Sequence, residues 1–218
     1  MSDFSVTDHN RVRRLPARGR YDRASVYAIV DAGLVCHVGF VADGRPYVIP
    51  TLHARDGDVI YLHGASTSRM LRAIEQGAEV CVTVTHIDGL VLAKSVFNHS
   101  VNYRSALLFG HGRAVTDPDE KMRALMLITE HLVPGRWDEA RLPNAIEMKA
   151  TGVVAIEIES ASAKLREGGP HDDAEDEGLP IWAGVLPLAL GPGELQATDY
   201  GPALEAPDYL RALTNDKR

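Results

Sequence analysis

The 218-residue chain lacks most of the features that announce the commoner protein classes. It has two cysteines, Cys36 and Cys81, each inside an apolar strand-like run (34–41 and 80–85) where a small hydrophobe fits. A reduced, cytoplasmic protein is therefore expected, not a disulfide scaffold. Lys and Arg number 23 against 30 Asp and Glu, a net charge of −7, so the clustered basic excess of a nucleic-acid surface is missing. Arginines do gather between Arg11 and Arg23, but no apolar segment follows them, which argues against a signal peptide or a membrane anchor. There is no Gly-x-Ser-x-Gly elbow, no P-loop and no Gly-x-Gly-x-x-Gly, which counts against hydrolase, NTPase and Rossmann readings. Nine histidines are present, yet none is spaced His-x-x-x-His and no Cys-x-x-Cys exists, so no metal site is expected.

What is there is a β-rich pattern. Asp22 caps a predicted helix through Val30 that stops at Gly33. Strands are predicted over 34–42, 46–54 and 58–63, joined by Asp43-Gly44 and Asp56-Gly57-Asp58 into an antiparallel meander. In the second strand Tyr47, Ile49, Thr51 and His53 share one face, and Val48, Pro50 and Leu52 the other. Pro50 removes a ladder donor, which places it at an edge, at a bulge, or against something that is not a strand. Further strands are expected over 79–87, 89–98 and 103–116, the last interrupted by Gly110 and Gly112, where another backbone or a ligand can approach closely. Asp117-Pro118-Asp119-Glu120 reads as a capping box opening a helix to about 132, whose stripe of Met122, Leu125, Met126, Ile128 and Leu132 faces the core. One or two short helices fall between Trp137 and Met148, and 152–159 is expected to be the last regular strand. An acidic, glycine-rich loop occupies 165–180, an apolar return carries Trp182, and 189–218 forms a C-terminal extension with a short helix at 208–213. One domain spanning 1–218 is the simplest organisation.

Two segments carry chemistry. Between 94 and 105 an apolar run turns abruptly into Lys94, Ser95, Asn98, His99, Ser100, Asn102, Tyr103 and Arg104, a cluster far richer in donors than a turn requires. At 66–69 a strand delivers Ser66, Thr67, Ser68 and Arg69 directly to a helix start. Unpaired backbone N–H groups and the positive end of the helix dipole meet there, which suits a phosphate. The alternative is that Ser66 is merely the N-cap and Arg69 a solvated first-turn residue.

The Lys94-Ser95 pair, the Asn-Tyr-Arg-Ser run at 102–105 and Phe109-Gly110-His111-Gly112-Arg113-Ala114 before Asp117-Pro118 resemble the pyridoxamine 5′-phosphate oxidase-like superfamily, in its flavin-nucleotide-binding and nitroimidazole-reductase-like branch. The resemblance spans about 11–188. It implies a mainly β (α+β) fold, an antiparallel split β-barrel with flanking helices, a homodimer, and FMN held between the subunits. It further implies that Ile49, Pro50, Thr51, His63, Ser66, Ser68, Arg69, Lys94, Ser95, Asn102 and Trp182 contact the cofactor, with His53 toward a small-molecule substrate and NADH or NADPH as reductant. An FMN-dependent oxidoreductase leads. A flavin-binding redox module without turnover and a haem-binding protein on the same barrel are the alternatives. Vitamin B6 oxidases carry basic residues near the C-terminus, whereas this chain is acidic after Leu165 and offers only Arg211, Lys217 and Arg218 at its end. That departure counts against oxidation of pyridoxamine phosphate.

Overall fold

The strands are antiparallel throughout, and their pairing closes a ring. A computed structural model of the protein describes residues 3–202 and 204–215, so Lys217 and Arg218 lie outside the described residues. After a short strand β1 (Gly19–Arg20), α1 (Arg23–Ala32) starts at Asp22, whose carboxylate accepts the Ser25 N–H at 2.8 Å and is held below its usual pKa by that bond. The meander follows as β2 (Val35–Ala42), β3 (Arg45–Asp56) and β4 (Val59–Ala65). Asp43 and Gly44 both take positive φ, 51° and 71°, as a two-residue hairpin turn of this hand demands. Then come α2 (Arg69–Glu75), β5 (Glu79–Leu92), β6 (Ser100–Ala114), α3 (Pro118–Leu132), α4 (Arg136–Glu139), α5 (Ala145–Ala150), β7 (Thr151–Glu157), β8 (Ser160–Arg166), β9 (Gly184–Pro187) and α6 (Asp208–Asn215).

Pairings run β6–β7–β4–β3–β2–β5 and back to β6, with β8 and β1 continuing from β6 and β9 from β5. The ring is split along β6, whose 103–109 segment pairs with β8 and whose 112–114 segment pairs with β7. The glycines sit at that switch. A Cβ on Gly110 would stand 1.9 Å from the Glu157 carbonyl oxygen, and one on Gly112 would stand 2.3 Å from Ile74 Cγ2, so the close approach is by protein. The main core lies inside the ring under α1 and α2, built from residues such as Ile60, Leu62, Leu71 and Ile156, each worth about 1.5–3 kcal/mol when buried. A second cluster packs α3, through Ala124 and Ile128 with Leu125 and Leu132, on Ala54, Tyr61 and Ala155. Cys36 is buried in the main core, where burial pushes its thiol up to about 12, and both cysteines are free.

Several expectations are corrected. The two strands predicted at 79–87 and 89–98 are one strand, bulged between Ile87 and Gly89, and it ends at Leu92, with 96–98 forming a 3-10 turn. Arg104 holds the bulge by a two-pronged bond to Asp88 at 2.9 and 2.8 Å. The strand at 151–157 is not the last, since β8 and β9 follow. At α3 the Asp117 carboxylate does accept the Glu120 N–H at 2.8 Å, but Glu120 turns its own carboxylate to Arg113 (2.7 and 2.9 Å) and Tyr61, which leaves half a capping box. The reciprocal box forms instead at Asn144 and Glu147. No helix among the described residues is long and apolar enough to cross a membrane.

Candidate functional site

The strand-to-helix junction is the part of the predicted site left open by the fold. β4 ends at Ala65 and α2 begins after Ser68, which occupies the cap position with no side-chain cap bond. The cap position thus falls on Ser68 and not on Ser66, where the plain-cap alternative put it, while Arg69 is exposed as that alternative expects. Among the described residues, the hydroxyls of Ser66, Thr67 and Ser68 have no hydrogen-bond partner in the protein. The junction backbone is fixed by Ser66 N–H to Ala150 O at 2.9 Å and Ser68 N–H to Ala65 O at 2.8 Å. Arg69 is exposed and forms no ion pair with a described carboxylate; its guanidinium lies 4.8 Å from the centre of the Tyr47 ring, which in turn stacks on Phe40 at 5.5 Å. Arg72, one turn on, lines the same groove with Asp43, Thr67 and Gln76. Tyr47 and Arg72 were not singled out by sequence reasoning. The alternation in 46–54 already put Tyr47 on one face with Ile49 and Thr51, and Arg72 follows Arg69 at helical spacing.

Ile49 packs against the main core, and Thr51 pairs with Cys36 on that same inward face, while Pro50 is exposed on the outward one. β3 pairs with β4 only from His53 onward, so 45–52 has β2 on one side and no strand on the other. Pro50 therefore sits on a half-open segment, one of the places a proline tolerates.

His53 and His63 stand in different surroundings. His53 is 0% exposed, and its Nε2 lies 3.1 Å from the Val30 carbonyl, which can only accept, so Nε2 carries the proton. Burial, with His131 5.2 Å away ring to ring, holds its pKa below the usual histidine value. His53, assigned to substrate by sequence, is an interior residue joining β3 to the end of α1. His63 pairs with Val153, one position past Leu62, the partner of His53, so the two histidines point to opposite faces. His63 is half-buried with Nδ1 unpartnered, and burial lowers its pKa as well.

The polar cluster is brought together but is largely spoken for. The Lys94 ammonium donates to the carbonyls of Leu179, at 3.0 Å, and Glu177, and the Lys94 N–H donates to Asp172 at 2.7 Å. Asn102 donates to Gly168 O at 3.1 Å and accepts from Arg166, a buried residue that also donates to Gly169 O at 3.1 Å. Ser95 accepts from Phe97 N–H at 3.3 Å. These side chains strap the acidic loop to the β5–β6 hairpin. Arg166 was missed because its partners are carbonyls that no spacing reveals. β9 then pairs with Gly89–Leu92 and sets Trp182, 68% exposed, beside this end of the hairpin with its ring over Gly184.

The junction and the cluster stand at opposite ends of β5. The groove at Arg69 reaches Ala78, next to the first residue of β5, and the cluster begins after its last, so the 14 residues of β5, roughly 45 Å of extended strand, run between them.

The pyridoxamine 5′-phosphate oxidase family model matches residues 22–165. The flavocytochrome Anf3 from Azotobacter vinelandii is 36% identical, with a TM-score of 0.88 over 95% of this chain and 97% of its own. An FAD- and haem-binding protein from Mycobacterium smegmatis is also 36% identical, with a TM-score of 0.84 over 90% of this chain and 97% of that one. No curated protein matches the chain. With its ring split along β6 and a family match over most of its length, the chain belongs to the pyridoxamine 5′-phosphate oxidase family.

Proposed function

We propose that the protein is a flavin-dependent oxidoreductase that also carries haem, acts as a homodimer on a small molecule in the cytoplasm, and is reduced by NADH or NADPH. The observation that carries the flavin half is the junction: three hydroxyls without protein partners and an arginine without a described carboxylate, at a helix start. These residues fit a phosphate ester. Ser66, Thr67 and Ser68 would donate to its oxygens, and Arg69, oriented by Tyr47, would neutralise its charge. The phosphate next to the ribityl chain is common to FMN and FAD, so the junction suits either, and Arg72 on the same helix face adds a second cation for a diphosphate. FMN is what the sequence resemblance implies, whereas the Mycobacterium smegmatis relative is named for FAD.

The bound flavin supplies hydride and electron transfer. The chain's own residues contribute binding and orientation, and His53 is excluded from proton transfer to a bound molecule by its burial and its bond to Val30. The dimer reading rests on the separation of the junction from the hairpin cluster and Trp182, which a second copy can close by presenting its own hairpin.

Haem comes into the reading through the two relatives at 36% identity, one named a flavocytochrome and the other an FAD- and haem-binding protein. The test is to release the cofactors from purified protein, identify the flavin by chromatography, and follow anaerobic reduction by NADH and NADPH in the visible spectrum. A yellow protein reducible by a nicotinamide and dimeric by light scattering is expected. A chain that takes up no flavin, or a monomer that binds it tightly, overturns the corresponding part.

A further inference from the structure

We infer that the cleft between the N-terminal segment and the outer face of β6 and β8 is a binding site for a small organic anion, a carboxylate or phosphate monoester carried on a compact apolar body such as an aromatic ring. It shares no lining residue with the phosphate groove at the junction. The arginines gathered near the N-terminus have no part in the flavin reading, and Arg11, Arg13 and Arg14 line this cleft.

The segment is pinned in place. Phe4 is buried in the main core, and its N–H donates to the Tyr21 carbonyl at 2.9 Å. Asn10, 3% exposed, donates to the carbonyls of Ser5 at 2.9 Å and of Ala161, on β8, at 3.1 Å, and the Val12 N–H donates to the Tyr21 hydroxyl at 2.9 Å. Residues 9–14 are therefore a wall over β6 and β8 and not a loose tail. Between this wall and the sheet lies a cavity of about 210 Å³. A cavity of about 150 Å³ is enough to take up benzene, so a single ring bearing a charged group fits.

The lining divides chemically. Val12, Leu107 and Phe109 supply apolar surface, while Arg13, Arg14 and Lys164 supply positive charge and form no ion pair with a described carboxylate. The carboxylates nearby are turned to other groups: Asp8 lies 3.9 Å from Arg11, and Glu79 lies 3.5 Å from His9, whose ring stands edge-on to Phe109. The second, independent observation is Ser162. It is 5% exposed, it lines the cavity, and its hydroxyl has no hydrogen-bond partner among the described residues. A buried hydroxyl left unpaired is costly, and an oxyanion in the cavity would complete it. The register sets Ser162 opposite Leu107 and Lys164 opposite Ser105, so the hydroxyl, the apolar wall and the ammonium share one face of the sheet.

The test is isothermal calorimetry of the purified protein with benzoate, phenyl phosphate and inorganic phosphate, beside thermal melts without ligand. Benzoate or phenyl phosphate should bind, the tighter of the two telling carboxylate from phosphate, and inorganic phosphate, which leaves the apolar wall uncovered, should bind more weakly than either. Arg13→Gln combined with Lys164→Gln should weaken binding roughly tenfold or more, as the loss of a charge-assisted bond does. Ser162→Ala removes a hydroxyl that holds nothing within the chain, so it should weaken binding while the melting temperature stays at or above the parent's. A melting temperature that falls in Ser162→Ala, or an affinity that does not, overturns the inference. So does failure of all three anions to bind, or inorganic phosphate binding as tightly as the ring compounds. Loss of binding in Arg69→Ala with full binding in the Arg13 and Lys164 double variant would put the anion at the junction and overturn it as well.

Discussion

Replacing Arg69 by alanine separates a phosphate ligand from a surface arginine. In the folded chain Arg69 has one described contact of note, the stack on Tyr47, and a cation over an exposed ring is worth about 0.5–1 kcal/mol. For a domain of this size 1 kcal/mol moves the melting temperature by about 2–4 °C, so the stability of the flavin-free protein should fall by no more than that. A charge-assisted bond to a phosphate is worth about 1.5–3 kcal/mol, which is roughly ten- to a hundredfold in Kd. The expected signature is thus a large loss of flavin affinity with a small loss of fold. The assay is quenching of flavin fluorescence on titration with stripped protein, beside a thermal melt without flavin.

Two companions sharpen the test. Arg69→Lys keeps the charge but not the planar fork, and should recover part of the affinity. Arg104→Ala removes a cation already bound to Asp88 in two places, so it should lower the melting temperature more than it lowers affinity. A Kd unchanged in Arg69→Ala, or a melting temperature that falls as far as the affinity does, would refute the reasoning and return Arg69 to the role of a surface helix residue.

Gly110→Ala should destabilise by about 3 kcal/mol or more, the upper end of the overpacking range, because the atom in the way is the Glu157 backbone carbonyl; a melting temperature equal to the parent's would contradict the packing at the β6 switch. Lys94→Ala removes the ammonium bonds to the carbonyls of Glu177 and Leu179, so a glutamate-specific protease should cut within 167–180 faster while the rest of the chain stays folded, and an unaltered cutting rate would mean the strap is not what orders the loop. His53 and His63 both have folded-state pKa values lowered by burial, so the unfolded chain takes up protons first as the pH drops; stability should be full above about pH 6.5 and decline as pH falls from there toward the folded-state values. Thermal melts between pH 8 and pH 5 should show this fall, less steep in His53→Gln, and equal slopes for variant and parent would remove His53 from the account.

How much of this was legible in the sequence depends on how far away the partners lie. The Asp22 cap, the Asp43-Gly44 turn and the tight approach at Gly110 were readable because each signal and its structural meaning lie in the same few residues. β8 was not, since Ser160–Arg166 alternates small and polar residues and owes its strand form to β6, more than 50 positions earlier. Glu120 carried the right letter for a capping box, yet Arg113 and Tyr61 offered its carboxylate better partners from other strands. The two candidate segments show the same limit in opposite senses. Lys94 and Asn102 were picked as ligand donors by residue type, but their acceptors are carbonyls 66 to 85 positions downstream, and satisfied donors have little left for a ligand within this chain. Ser66 had a bland local explanation as a cap, yet the cap position falls on Ser68, whose side chain makes no cap bond. A polar side chain's chemistry is written in its type, but its availability is a tertiary property. The flavin assignment therefore gains most from the three hydroxyls the fold leaves open, and the cluster that looked richer in donors is one the fold has largely used.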